Sequence, residues 1–202
     1  MIKTIIFDLG NVVLSFDHML ICEGIARYSK YSSNDVYQLG FNSEVFELYD
    51  KGKIKSEDLF QWVLRKFDIN ISYDMFKSVW SDIFSLNDSV ETVLSAIKKN
   101  GYNLVLVSNT NELHFDFIRQ NFKVIELFDD LVLSYRIGYS KPHEEIFREA
   151  LKRAGSSPED SVYIDDIEEF CKAAEDLGIN SIVYRSTEQL IKGLEELGVM
   201  IG

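Results

Sequence analysis

Basic residues, prolines and cysteines are scarce in this chain, and each shortage narrows what the protein can be. Lys and Arg number 21 against 33 Asp and Glu, for a formal net charge of −12. Nucleic-acid binding needs cations to neutralise backbone phosphates, so that partner is not expected. The same deficit disfavours an acidic membrane surface. A small phosphorylated ligand stays open, because one lysine or metal ion reverses the field inside a single cleft. Only two prolines occur in 202 residues, which argues against a long disordered linker. Cys22 and Cys171 stand alone rather than in a CxxC pair and read as reduced thiols of a cytoplasmic protein. No apolar run is long enough for a membrane span or a signal peptide, and residues 2–7 read instead as a strand.

What is present is an alternation. Short apolar, β-branched runs lie at Lys3–Phe7, Leu104–Val107, Leu131–Leu133 and Val162–Ile164, with a fifth at Ser181–Tyr184. Near-continuous apolar character marks strands buried on both faces. Amphipathic stretches of helical length separate them, at Ser89–Lys99, Glu112–Asn121, Glu144–Ala154 and Glu169–Leu177. The class is therefore α/β, with a parallel sheet between layers of helix. Residues 17–83 break the rhythm. Leu59, Trp62, Val63 and Phe67 recur at helical spacing there, and Ser56 is a candidate helix start. The expected organisation is a core of residues 1–16 and 84–202 with a helical insertion, 17–83, after the first strand. The insertion's aromatic residues read as core, with at least one facing a cleft.

Ligands of open parallel sheets bind beyond the carboxyl ends of the strands. The polar residues expected there are Asp8, then Ser108-Asn109-Thr110, then Ser140-Lys141-Pro142, then Asp165-Asp166. Each has a plain reading. Asp8 would cap a turn, and Asp165-Asp166 would join Glu168 and Glu169 in a solvated acidic loop. Lys141 would lie on the surface, and Ser108 or Asn109 would cap the helix 112–121. Each also has a chemical reading. A buried carboxylate such as Asp8 needs a partner or a metal and serves as a nucleophile toward phosphorus. Adjacent acids relieve their repulsion on a divalent cation, and a few oxygen ligands suit Mg²⁺.

Taken in order, Phe7-Asp8-Leu9-Gly10-Asn11-Val12, Val107-Ser108-Asn109-Thr110-Asn111, Ser140-Lys141-Pro142 and Ile164-Asp165-Asp166 resemble the four motifs of the haloacid dehalogenase-like hydrolase superfamily. The resemblance spans residue 2 to about residue 185. It implies a Rossmannoid three-layer parallel-sheet core with a small all-helical cap. It also implies an aspartyl-phosphate at Asp8, phosphoryl contacts from Ser108, Asn109, Gly10 and Asn11, and a lysine, Lys141, orienting Asp8. The implied metal is Mg²⁺, on Asp8, the Gly10 carbonyl and Asp166, with Asp165 in a supporting or ligand role. The implied substrate is a small phosphorylated metabolite. The Asp-Leu-Gly-Asn-Val variant is similar to a bacterial subgroup that includes glucose-1-phosphate phosphatases, which favours a sugar phosphate. A monomer or homodimer is expected.

Two departures keep alternatives open. Most phosphatases of the superfamily carry an Asp, as general acid and base, where this chain has Gly10. Such a group contributes on the order of 10²–10⁴ in rate. A sugar 1-phosphate leaves more readily than an alkyl phosphate and needs less of that help. Beyond Asp166, only Glu169 stands where a further acidic or amide residue is usual. His18, near the start of the insertion, is a candidate for substrate contact or proton transfer. Gly10 also fits a haloacid dehalogenase, which attacks carbon without a metal, although paired acids suit that chemistry less. It fits, too, a regulatory protein that binds phosphate with weakened catalysis.

Overall fold

Every residue of Thr4–Phe7 is buried, as expected for a strand covered on both faces. In a computed structural model that describes residues 1–201, the first half runs β1 (Thr4–Phe7), β2 (Leu14–Phe16), α1 (His18–Ala26), α2 (Ser33–Gly40), α3 (Glu44–Asp50), α4 (Ser56–Phe67), α5 (Tyr73–Ser81) and β3 (Phe84–Leu86). It continues through α6 (Asp88–Lys99), β4 (Asn103–Ser108), α7 (Glu112–Asn121), β5 (Asp130–Leu133), α8 (Ser134–Ile137), α9 (Glu144–Ala154), β6 (Ser161–Asp165), α10 (Glu168–Glu175), β7 (Asn180–Val183) and α11 (Thr187–Glu196).

The main sheet is parallel, in the order β5-β4-β1-β6-β7. Alternation along each strand builds the layers. Ile5, Phe7, Leu104, Leu106, Val162 and Ile164 face a core shared with α6, α7 and α11. Ile6, Val105, Val107 and Tyr163 face the opposite way, onto Ile146, Phe147 and Ala150 of α9 and Cys171 and Ala174 of α10. This is the Rossmann-like, three-layer α/β arrangement expected from the sequence. Burying each large side chain contributes about 1.5–3 kcal/mol. Both cysteines are free and buried. No helix among the described residues is long and apolar enough to cross a membrane.

Helices α1–α5 lie between β2 and β3, which pair antiparallel from Leu14↔Leu86 to Phe16↔Phe84. They enclose a second cluster that includes Ile21, Leu59, Val63, Phe67, Phe76 and Trp80. Leu113 of α7 joins this cluster, tying the helical unit to the sheet. Helix α4 starts at Ser56, as expected. The capping position is Lys55, and the buried Ser56 hydroxyl meets Tyr49 Oη at 2.8 Å and the Glu112 carboxylate.

Candidate active site

Strand register brings the first acids together. Phe7 lies opposite Ile164, and the Asp8 N–H donates to the Ile164 carbonyl at 2.8 Å. Asp8 thus leaves the sheet beside Asp165, the last residue of β6. Lys141 reaches between them, donating from Nζ to Asp8 Oδ1 at 2.6 Å and to Asp165 Oδ2 at 2.7 Å. Lys141 is 4% exposed, Asp8 6% and Asp165 0%, so the surface-lysine and turn-cap readings fall away. The other contacts of Asp165 are internal: Tyr163 Oη donates to Oδ2, and the Ile167 N–H to Oδ1 at 2.9 Å.

One ammonium does not balance this site. Ligand oxygens of Asp8, Asp165 and Asp166 lie within 4.8 Å of one another, so three carboxylates face one lysine. Burial pushes the Asp8 carboxyl up to about 7 against the pull of Lys141. Burial, then Asp165, raises Asp166. Burial draws Lys141 down, but Asp8 and Asp165 outweigh it and hold the ammonium above its ordinary value.

The remaining sequence candidates divide by what they touch. Ser108, the buried end of β4, lines the cleft, and its hydroxyl has no hydrogen-bond partner among the described residues. Asn109 lines it too, yet both ends of its amide hold the Lys141 main chain, with Nδ2 donating to the carbonyl at 3.0 Å and Oδ1 accepting from the N–H at 2.7 Å. The helix-cap reading of Ser108 and Asn109 is replaced by Asn111, which accepts from the His114 N–H. Gly10 sits in a tight turn closed by Leu14 N–H to Leu9 carbonyl at 2.9 Å. Asn11 follows with φ 56°, a left-handed conformation that Asn tolerates. It donates from Nδ2 to Asp166 Oδ2 at 3.4 Å. Glu169 is exposed in the first turn of α10, and no hydrogen bond or ion pair joins it to the acids.

A second wall contains His18 and cap aromatics, as expected, and two residues that escaped the sequence reading, His114 and Asp50. His114 is buried, with Nε2 3.0 Å from the Trp80 carbonyl and Nδ1 3.1 Å from Asn111 Nδ2. A carbonyl only accepts and an amide NH₂ only donates, so the proton is on Nε2 and the ring is neutral. Burial, reinforced by His18, pushes its pKa down to about 3. Asn111 Nδ2 also donates to Asp50 Oδ1 at 3.0 Å, and burial pushes Asp50 up to about 6. Asn111 was legible as part of a motif. Asp50 and His114 were not, because each lies on a helix at a position with no local signal. Together with His18, Phe16, Phe41, Phe46, Trp80 and Phe84, these residues and the β4 end line a cleft of about 330 Å³.

The fold thus places a buried, lysine-paired aspartate beyond the central strand of a parallel sheet. Residues 2–178 match the haloacid dehalogenase-like hydrolase family, and the chain belongs to that family. It is 22% identical to the D-ribitol-5-phosphate phosphatase of Bacteroides thetaiotaomicron over 82% of this chain and 84% of that protein. It is 29% identical to the glyceraldehyde 3-phosphate phosphatase of Methanocaldococcus jannaschii over 97% of this chain and 90% of the relative. A family enzyme from Bacteroides thetaiotaomicron, solved in complex with magnesium and inorganic phosphate, superposes with a TM-score of 0.81 at 25% identity, over 92% of this chain and 95% of the other. The chain is thus an enzyme of this hydrolase family with phosphatases among its relatives.

Proposed function

We propose that the chain is a Mg²⁺-dependent phosphomonoesterase that acts on a small phosphorylated metabolite through a covalent aspartyl-phosphate at Asp8. The observation that carries this reading is the cluster of Asp8, Asp165 and Asp166 around the single ammonium of Lys141. Three carboxylates against one cation leave a formal charge of −2, and a dianionic phosphate entering that field needs a further cation. The donor set is oxygen only, which fits Mg²⁺. Asp8, Asp166 and the Gly10 carbonyl would hold the ion. When bound, it would neutralise phosphoryl oxygens and compensate the acids.

The chain's own residues supply the rest. Lys141 occupies Asp8 Oδ1, which leaves Oδ2 as the attacking atom. That oxygen bonds to phosphorus as the ester oxygen leaves. Water then attacks the aspartyl-phosphate, releasing phosphate and restoring Asp8. The Ser108 hydroxyl, uncommitted at the strand end, donates to a phosphoryl oxygen. Asp165, with both oxygens engaged, orients Lys141 rather than binding metal. Asn109 fixes the Lys141 main chain, and its contribution to phosphate binding is limited to its backbone N–H. Residues 17–83 act as the cap that closes over the cleft. The sugar phosphates favoured by the sequence resemblance, and the substrates named for the two relatives, fall within the proposed class.

The test is phosphate release from a panel of esters with Mg²⁺ and with EDTA. Release that EDTA abolishes supports the reading. Halide release from 2-haloacids without metal would assign the site to carbon chemistry instead.

A further inference from the structure

Seven aromatic rings form a linked belt along the cleft wall, packed so closely that His18 also stacks on His114 and Phe41 on Trp80, each at 6.4 Å. Taken by ring centroids, Phe16 meets His18 at 4.8 Å, His18 meets Phe41 at 4.7 Å, and Phe41 meets Phe46 at 4.9 Å. Phe46 meets Trp80 at 5.0 Å, Trp80 meets His114 at 5.8 Å, His114 meets Phe84 at 5.2 Å, and Phe84 returns to Phe16 at 6.2 Å. All seven line the same cleft as Gly10 and Ser108. Both nitrogens of His114 are already engaged, so it offers the cleft a ring and not a hydrogen bond. Asn111 is likewise committed, to Asp50 and His114. No Lys or Arg lines this cleft, whereas Glu47 and Asp50 do. A second anionic group on the substrate finds no partner there. An aromatic body buries more apolar area against these rings than a polyol does.

The belt also excludes position 10 as the source of a proton for the leaving group. A Cβ built on Gly10 lies 2.7 Å from Phe16 Cε1, and the Phe16 ring is held between His18 and Phe84. Phe16 therefore fills the space into which a residue-10 acid would project. An ester cleaved here departs without a proton from that position, which favours leaving groups that are stable as anions. Phenols ionise near pH 10, whereas simple alcohols lie near water, at about 15.7.

Both observations converge, and we infer that the preferred substrate is an aryl phosphate, a monoester whose leaving group is a flat, apolar phenol seated in the aromatic belt. The inference rests on the phosphomonoesterase reading of Asp8. In the reaction, Asp8 Oδ2 bonds to phosphorus and the aryl C–O–P linkage breaks at the P–O bond. The phenolate leaves with the electron pair and takes a proton from water. Water then hydrolyses the aspartyl-phosphate and gives up a proton to solvent, so aryl phosphate and water yield phenol and phosphate.

Three esters separate the claims when steady-state kinetics are measured with Mg²⁺ on the full chain. Phenyl phosphate and benzyl phosphate share the ring but differ in leaving group. Benzyl phosphate and ribitol 5-phosphate share an alcohol leaving group but differ in the body. The expected results are a kcat/KM for phenyl over benzyl phosphate of about 10²-fold or more, and a KM for benzyl phosphate about tenfold below that for ribitol 5-phosphate. Because kcat/KM reports the step that expels the leaving group, before the common aspartyl-phosphate, equal values for phenyl and benzyl phosphate would overturn the leaving-group half. An equal or lower KM for ribitol 5-phosphate would overturn the belt as the recognition element. Both of those failures leave the phosphatase reading intact. No Mg²⁺-dependent release from any of the three would sink that reading and the inference with it.

Discussion

Asn109 grips the main chain of Lys141 from both sides, accepting from its N–H at 2.7 Å and donating to its carbonyl at 3.0 Å. A lysine side chain is long and loses much rotamer freedom when fixed. Fixing its backbone is the means by which the ammonium is aimed between Asp8 and Asp165. Asn109→Ala removes that grip and leaves the cleft walls in place. The expected outcome is a kcat lowered about 10²-fold with KM nearly unchanged, read from steady-state kinetics on one substrate. A KM increase without loss of kcat would make Asn109 a substrate contact instead.

Among the described residues, Lys141 is the only cation reaching the buried oxygens of Asp8 and Asp165. Lys141→Met leaves those oxygens facing each other with no partner charge. Breaking a buried pair in this way costs about 3–5 kcal/mol. Denaturant unfolding at neutral pH should show that loss, and added Mg²⁺ should restore part of it by binding the uncompensated acids. Unchanged stability would mean that the acids are already protonated in the folded state.

Much of this was legible in the sequence. The five main strands sit within two residues of their expected positions, and the helices 112–121 and 144–154 start and stop as expected, because double-sided burial and amphipathic spacing are local signals. The strands β2 and β3 were not read, since three residues show no usable periodicity and the partners are some 70 positions apart. Asp8, Lys141 and Asp165 were named because parallel strand ends point there. His114 and Asp50 were not, because their setting is created only when α3, α5 and α7 meet. The commitment of Asn109 to the Lys141 backbone is likewise a tertiary fact.

Gly10 has little room for any side chain. Gly10→Ala places a methyl group against the edge of Phe16. The expected cost is about 1–3 kcal/mol, as for other overpacked sites, checked by thermal or denaturant unfolding. Gly10→Asp should fail to speed the hydrolysis of alkyl phosphates, because its carboxyl cannot occupy the space that the ring fills. A large gain in that activity would show that Phe16 moves aside.

His114 makes the protein sensitive to acid. Its folded value is pushed down to about 3, while an unfolded histidine titrates near 6.5. Between these values the unfolded chain binds the extra proton. The contribution is therefore complete above about pH 6.5 and is lost as pH falls toward 3, by on the order of 3–5 kcal/mol across the window. Asp50, pushed up to about 6 by burial, works in the opposite sense, so the wild-type curve alone mixes the two. His114→Gln keeps a donor for the Trp80 carbonyl and removes the titration. The stability difference between wild type and His114→Gln should shrink as pH drops from 7 to 4.5, and a constant difference would contradict the neutral buried imidazole.

The covalent role of Asp8 is the central claim, and trapping the intermediate tests it most directly. The protein is mixed with Mg²⁺ and a phosphate ester that it turns over, quenched in acid during turnover, digested and mapped by mass spectrometry. The account predicts a phosphoryl group on Asp8, absent from Asp8→Asn, whose turnover falls by on the order of 10⁴ or more while its fold is kept. A phosphoryl group on another residue, or an Asp8→Asn variant that still releases phosphate at the wild-type rate, would contradict it.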